Sequence, residues 1–258
     1  MPKLAANLSM MFTEWDFLDR FQAAADQGFK GVEFLFPYDF APEVIAKARE
    51  KAGVEQVLFN LPPGDWAANE RGLAALPGRE ADFLAALTRA IEYADALQCP
   101  RLHAMAGLIP EGGDEAAMAD VYQNNLAKAA EAAAKHGLDI LIEPINPRDI
   151  PGYFLNYVED AAAVIASVGA ANLKLQFDIY HRQIVSGDVM MGLAGHMPLI
   201  GHVQIASVPD RNEPTTGELS DARVLNYLDE LGFTGWVGCE YRPKAGTVEG
   251  LDWRAKLT

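Results

Sequence analysis

Glu143, Asp178, Gln204 and Glu240 each stand at or next to the end of a short apolar, β-rich run. The runs are Asp-Ile-Leu-Ile-Glu-Pro-Ile-Asn (139–146), Leu-Lys-Leu-Gln-Phe-Asp (173–178), Gly-His-Val-Gln-Ile (201–205) and Trp-Val-Gly-Cys-Glu (236–240). Side chains alternate across a strand, so Glu143 shares a face with Leu141, Asp178 with Gln176, Gln204 with His202 and Glu240 with Gly238. Three carboxylates gathered in one hollow repel each other, and their desolvation costs several kcal/mol by rough estimate unless a cation neutralises them. A divalent ion is the simplest answer. Three carboxylates and an amide suit a hard ion, Mg²⁺ or Mn²⁺, whereas zinc favours histidine and thiolate. A single strand-end Glu is more often a salt-bridge partner than a ligand. Four on four successive strands reverse that expectation. Carboxylates beside such an ion can serve as acid and base in a proton transfer.

Side chains on different strands meet only if a sheet brings the strand ends together. Strands are expected at 4–9, 31–36, 55–60, 101–105, 139–146, 173–178, 201–205 and 236–240. Helical segments fall between them at 14–27 (N-capped by Thr13), 42–52, 79–97, 115–136, 158–168, 182–197, 221–231 and near 248–256. Gly28, Gly53 and Gly137 follow three of these as helix stops. Eight strands alternating with eight helices predict a parallel sheet closed into a (β/α)8 TIM barrel spanning residues 1–258 as a single domain. Its strands deliver their carboxyl ends to one mouth. An open doubly wound sheet would bring a glycine-rich turn after the first strand, and Ser9-Met10-Met11-Phe12 has no glycine. A long connection at 61–78, with Trp66, Arg71 and two prolines, reads as an ordered lid over the mouth.

With 258 residues, half of them hydrophobic, the chain has material for one large core. A formal net charge of −15 speaks against nucleic acid or anionic lipid as a partner, since those need basic patches. No run of about twenty apolar residues suggests a membrane span, and a cytoplasmic location is the expectation. Cys99 and Cys239 are predicted at opposite barrel ends, as free thiols.

Several further stretches, in order and spacing, resemble one enzyme family. They include Ala5-Ala6-Asn7-Leu8-Ser9-Met10, Gly31-Val32-Glu33-Phe34, Gly64-Asp65-Trp66-Ala67-Ala68, Glu143-Pro144-Ile145-Asn146, Asp178-Ile179-Tyr180-His181 and Trp236-Val237-Gly238-Cys239-Glu240-Tyr241. The pattern is similar to that of hydroxypyruvate isomerases and 2-oxo-tetronate isomerases, within the xylose isomerase-like barrels. The resemblance spans nearly the whole chain. It implies one divalent metal held by Glu143, Asp178, Gln204 and Glu240, both glutamates acting on protons, and an aldose–ketose type interconversion of a small hydroxy/oxo acid. Phe59 departs from the pattern, standing where a bacterial relative would carry histidine. A sugar 3-epimerase with the same paired glutamates is the alternative within this chemistry. A DNA phosphodiesterase on a related barrel would want several zinc-binding histidines and a basic face. A sugar-acid binding protein would have no need for two glutamates at a metal.

His181, one helical turn past Asp178, is expected at the substrate, with a capping or core histidine as the plainer alternative. Arg211, Asp149, Asn7, Asn60, Trp66 and Arg71 complete the expected substrate-binding set, the arginines supplying positive potential for a carboxylate. Glu33 is read either as pocket-lining or as paired with a buried base such as Lys174. His103 is either a pocket or a core residue, and Trp15, Trp236 and Trp253 are expected to be packing residues. Substrate length, the physiological metal and homo-oligomer formation stay open.

Overall fold

The structure is a computed structural model that describes residues 2–257. Its eight strands are β1 (Lys3–Asn7), β2 (Gly31–Glu33), β3 (Glu55–Asn60), β4 (Arg101–His103), β5 (Asp139–Ile142), β6 (Leu173–Asp178), β7 (Ile200–Ile205) and β8 (Trp236–Cys239). Each pairs in parallel with the next in sequence, and β8 returns to β1 to close the barrel. The helices are α1 (Arg20–Asp26), α2 (Pro42–Ala52), α3 (Glu80–Leu97), α4 (Glu115–Ala134), α5 (Val158–Val168), α6 (Ile179–Val185), α7 (Val189–His196), α8 (Asp221–Glu230) and α9 (Thr247–Gly250).

Local chemistry sets these boundaries. Pro42 opens α2, where its missing N–H is unneeded, and Gly53 ends it in the left-handed conformation at φ 66°. Asp114 caps α4 by accepting from the backbone N–H groups of Ala116 and Ala117. Outward residues Ile140, Ile142, Leu175, Phe177, Val203, Ile205 and Val237 are buried in the main core against the helices. A small inner cluster of Ala5, Val57, Leu58, Leu141 and Trp236 fills part of the interior. That leaves polar residues for the carboxyl ends of the strands.

Strands expected at 31–36, 101–105 and 139–146 end short, the segment near 248–256 is a short α9 followed by a 3-10 helix (Leu251–Leu257), and four further expectations are changed. Residues 14–27 are a short 3-10 turn (Phe17–Asp19) followed by α1, so Thr13 caps nothing. The expected helix at 182–197 starts earlier and is split. Asp178 accepts from the Tyr180 N–H at 2.7 Å and caps α6, and Asp188 at φ 45° begins α7 on a new axis. Trp15 is 40 % exposed rather than packed, whereas Trp236 and Trp253 are buried. Glu33 is buried, and its basic partner is His202, not Lys174.

Cys99 and Cys239 are both buried free thiols. Within 61–78, Gly72 lies against the Met105 backbone, where a Cβ would meet Met105 O at 2.3 Å. Ala74 and Ala75 donate to the carbonyls of Met105 and Ala106, so this half of the loop is tied to the end of β4. Its tip, residues 65–69, is exposed. Among the described residues no helix is long and apolar enough to cross a membrane.

Candidate active site

Strand register decides which side chains share a level. Asp178 pairs with Gln204 across β6 and β7, and Gln204 with Gly238 across β7 and β8, so Glu240 stands two residues above that level. At the carboxyl ends a cavity of about 400 Å³ opens, lined by Asn60, Trp66, Arg71, His103, Glu143, Asp149, His181, Arg211, Glu240 and Arg242 among others. Asp178, Gln204 and Asn7 lie buried outside that lining. All eleven residues expected from the sequence are therefore at the same end, eight in the wall and three behind it.

Burial dominates the electrostatics. It raises the Glu143 carboxyl well above the usual range, with Glu240 and Asp178 adding repulsion. Burial likewise pushes Asp178 up to about 6 and Glu240 up to about 8, against the pull of Arg211. Arg211 is the counter-charge. Its Nη2 donates to Glu240 Oε2 at 2.6 Å and lies 3.7 Å from Asp178 Oδ2, while Nη1 donates to Asp149 Oδ2 at 3.2 Å. The guanidinium also sits 4.8 Å from the Tyr180 ring centroid, and the Tyr180 hydroxyl donates to Asp149 Oδ1 at 3.1 Å. A left-handed backbone at Arg211, φ 56°, turns it in from the loop after β7.

His181 has its tautomer set by neighbours. Asn146 Oδ1 accepts from the Asp149 N–H at 2.8 Å, which turns Asn146 Nδ2 toward His181 Nδ1 at 2.6 Å. The Asn146 backbone N–H points to the same nitrogen at 3.4 Å. Nδ1 is therefore an acceptor, and in the neutral ring the proton sits on Nε2. Burial first, and Arg211 next, hold the imidazole well below its ordinary pKa, hence neutral. Nε2–H faces Asp178 Oδ2 at 3.5 Å and Glu143 Oε1 at 3.7 Å. It is a donor aimed into the cavity.

Three buried side chains, Glu143, Asp178 and His181, stand close enough to hold a metal ion, whereas Glu240 lies outside that cluster, bonded to Arg211. Glu143, Asp178 and His181 each offer an atom within 4.8 Å of the others, and Glu143 Oε1 is buried with no hydrogen-bond partner. The His181 tautomer makes the two carboxylates better ligands than the ring. Gln204 Nε2 donates to Glu33 Oε1 and its Oε1 accepts from Gln176 Nε2.

The sequence position of His103 allows either pocket or core, and the structure puts it in the pocket. It lines the cavity with both ring nitrogens buried and unpartnered, Nδ1 lying 3.6 Å from Glu143 Oε2. Burial drops its pKa to about 3. A neutral imidazole is thus a donor or acceptor for a bound molecule. Arg242, just beyond Glu240, also reaches the cavity. Arg242 is exposed, and nothing in the local sequence distinguishes it from a solvated surface charge.

At the rim, the Arg71 guanidinium stacks 3.9 Å from the Trp66 ring centroid and Nη1 donates to the Trp66 carbonyl at 3.1 Å. Trp66 also packs on Phe36 at 5.1 Å.

A family model described as xylose isomerase-like TIM barrel matches residues 21–257. The chain belongs to the xylose isomerase-like TIM barrel family. Within this family it is 57 % identical over 253 residues to a 2-oxo-tetronate isomerase of Cupriavidus necator, covering 98 % of this chain and 97 % of the relative. It is 43 % identical to a hydroxypyruvate isomerase of Escherichia coli, covering 98 % of both chains. A solved structure from Brucella melitensis, named AP endonuclease, family 2, superposes with a TM-score of 0.97 at 48 % identity over 99 % of both chains.

Proposed function

We propose that the chain is an isomerase of a small sugar acid, interconverting an α-hydroxy ketone and an α-hydroxy aldehyde by proton transfer between adjacent carbons. Hydroxypyruvate to tartronate semialdehyde is the reaction read from the sequence, with the four-carbon 2-oxo-tetronate as the alternative. The observation that carries the proposal is the pair Glu143 and Glu240. Both are buried in the cavity wall, come from different strands, and are held well above ordinary carboxyl pKa values. A divalent ion held between them would pull both values down again, so that the pair can be ionised near neutral pH and exchange a proton with a bound substrate.

Glu143, Asp178, Gln204 and Glu240 would hold one divalent ion, Mg²⁺ or Mn²⁺, which would supply positive charge to offset negative charge developing on substrate oxygens. Glu143 takes or returns the proton at one carbon and Glu240 does so at the other. His181 Nε2–H and His103 offer hydrogen bonds to substrate oxygens. Arg71, Arg211 and Arg242 give a carboxylate local positive potential in a chain of charge −15. Asp149 keeps Arg211 in place. Asn60 lines the wall, and Trp66 shields the mouth.

The relatives named for isomerisation of hydroxypyruvate and 2-oxo-tetronate support this reading. The name of the Brucella protein raises DNA as an alternative substrate, and the acidic balance of this chain argues against it. Hydroxypyruvate and 2-oxo-tetronate assayed side by side in D2O, with products followed by NMR, test the proposal. Deuterium on the carbon that was the carbonyl, with a new carbonyl on its neighbour, an aldehyde from hydroxypyruvate and a ketone from 2-oxo-tetronate, is expected. Inversion at a single carbon would mean an epimerase, and no turnover of either acid would refute the reading.

A further inference from the structure

Below the cavity lies a buried carboxylate to which the proposed reaction assigns no role. Glu33, at the end of β2, is 1 % exposed. Its Oε1 accepts from Gln204 Nε2 at 2.8 Å and Asn7 Nδ2 at 3.0 Å, and its Oε2 meets His202 Nε2 at 2.7 Å. The carboxylate has space because residue 238 is glycine: a Cβ there would lie 2.2 Å from Glu33 Oε2. Four strands, β1, β2, β7 and β8, thus contribute to one small polar chamber.

A carboxylate ion only accepts hydrogen bonds. The amide nitrogen of Gln204 must therefore face Glu33, and its oxygen must turn away, where Gln176 Nε2 donates to it at 2.7 Å. An amide oxygen has two lone pairs, so one stays available for an ion. Asn7 carries the same influence further, because its Nδ2 also lies 3.3 Å from Glu240 Oε1. We propose that Glu33 is a positioning residue for the metal site, fixing which end of the Gln204 amide can meet the ion and, through Asn7, where Glu240 stands. The inference rests on the proposed reading of Gln204 and Glu240 as ligands.

The test is Mn²⁺ binding to chelator-stripped protein, by calorimetry and by the Mn²⁺ electron paramagnetic resonance spectrum, for wild type, Gln204→Leu, Glu33→Met and their double variant. Outer partners of metal ligands are worth about 10–100-fold in affinity, and Glu33→Met is expected to weaken Mn²⁺ by that factor and to broaden its spectrum. The double variant should lose less than the product of the two single losses, because part of the Glu33 effect passes through Gln204 and only the rest through Asn7. A Glu33→Met protein that is folded and binds Mn²⁺ as wild type does overturns the inference. Independent losses in the double variant overturn it too. If Gln204→Leu leaves Mn²⁺ affinity unchanged, the ligand reading itself fails.

The exchange Glu33→Gln with Gln204→Glu covers the case in which Glu33→Met does not fold. It restores one donor and one acceptor between the two positions and puts an oxygen toward the ion. Affinity within about tenfold of wild type is expected by the same scale for outer partners. Affinity as weak as that of Gln204→Leu overturns the positioning role.

Discussion

Arg211 and Glu240 are joined by a 2.6 Å hydrogen bond between Nη2 and Oε2, both side chains almost wholly buried. Removing one member of such a pair strands the other charge at a cost of roughly 3–5 kcal/mol. Arg211→Met should therefore destabilise the metal-free protein by up to about that amount in urea above pH 8, where Glu240 is ionised, and by less at lower pH, where the stranded carboxyl takes a proton. Excess Mg²⁺ should recover much of the loss, since it neutralises the same carboxylates. Equal losses with and without metal would contradict the counter-charge role of Arg211.

Glu143 and Glu240 approach the cavity from β5 and β8, the geometry of a two-base proton transfer. Glu143→Gln and Glu240→Gln each keep the side-chain volume and remove the titrating oxygen. Turnover should fall by about 10²–10⁴-fold while the circular dichroism spectrum stays that of wild type. A near-wild-type rate for either variant in metal-replete buffer would remove that glutamate from the chemistry.

Asn146 makes His181 Nδ1 an acceptor. In Asn146→Asp a carboxylate replaces the donating amide and draws a proton onto Nδ1, so Nε2 loses its hydrogen. Comparable tautomer reversal in a catalytic triad costs about 10⁴ in kcat. A smaller drop, about tenfold or more, is expected here because His181 is a hydrogen-bond donor rather than the central base. Nitrogen NMR of the labelled imidazole reads the tautomer directly, and an unchanged ring would refute the mechanism.

Folding raises the pKa values of Asp178, to about 6, and Glu240, to about 8, above the usual carboxyl values near 4. The folded state therefore favours the protonated acids. Their contribution to stability is present below about pH 4 and is lost as pH rises through 6 and then 8. In chelator, the melting temperature should fall between about pH 5 and pH 8. Mg²⁺ competes with those protons, so its stabilisation should grow over the same range. A metal-induced shift that shrinks with rising pH would contradict this.

Arg71 and Trp66 form one stacked unit at the cavity rim. An exposed contact of this kind is worth about 0.5–1 kcal/mol, a few-fold in affinity. Trp66→Ala and Arg71→Met should raise KM by roughly that factor and leave kcat within about twofold. A selective fall in kcat would place the loop in the chemistry instead of in binding.

Sequence alone determined the alternation of strands and helices, because apolar periodicity and glycine stops are local properties. β3, α2, α5 and β6 have the boundaries read from sequence. It also placed Glu143, Asp178, Gln204 and Glu240 at one mouth, since every strand of a parallel barrel points the same way. Only the tertiary structure decided the partners. Glu33 meets His202 because β2 and β7 face each other across the barrel interior, a distance that no sequence spacing encodes. Arg211 reaches Glu240 because one left-handed residue turns the loop inward, and His103 faces the cavity because β3 and β5 flank β4 in register. Those contacts are set by closure of the sheet, which joins residues far apart along the chain and leaves no local trace in it.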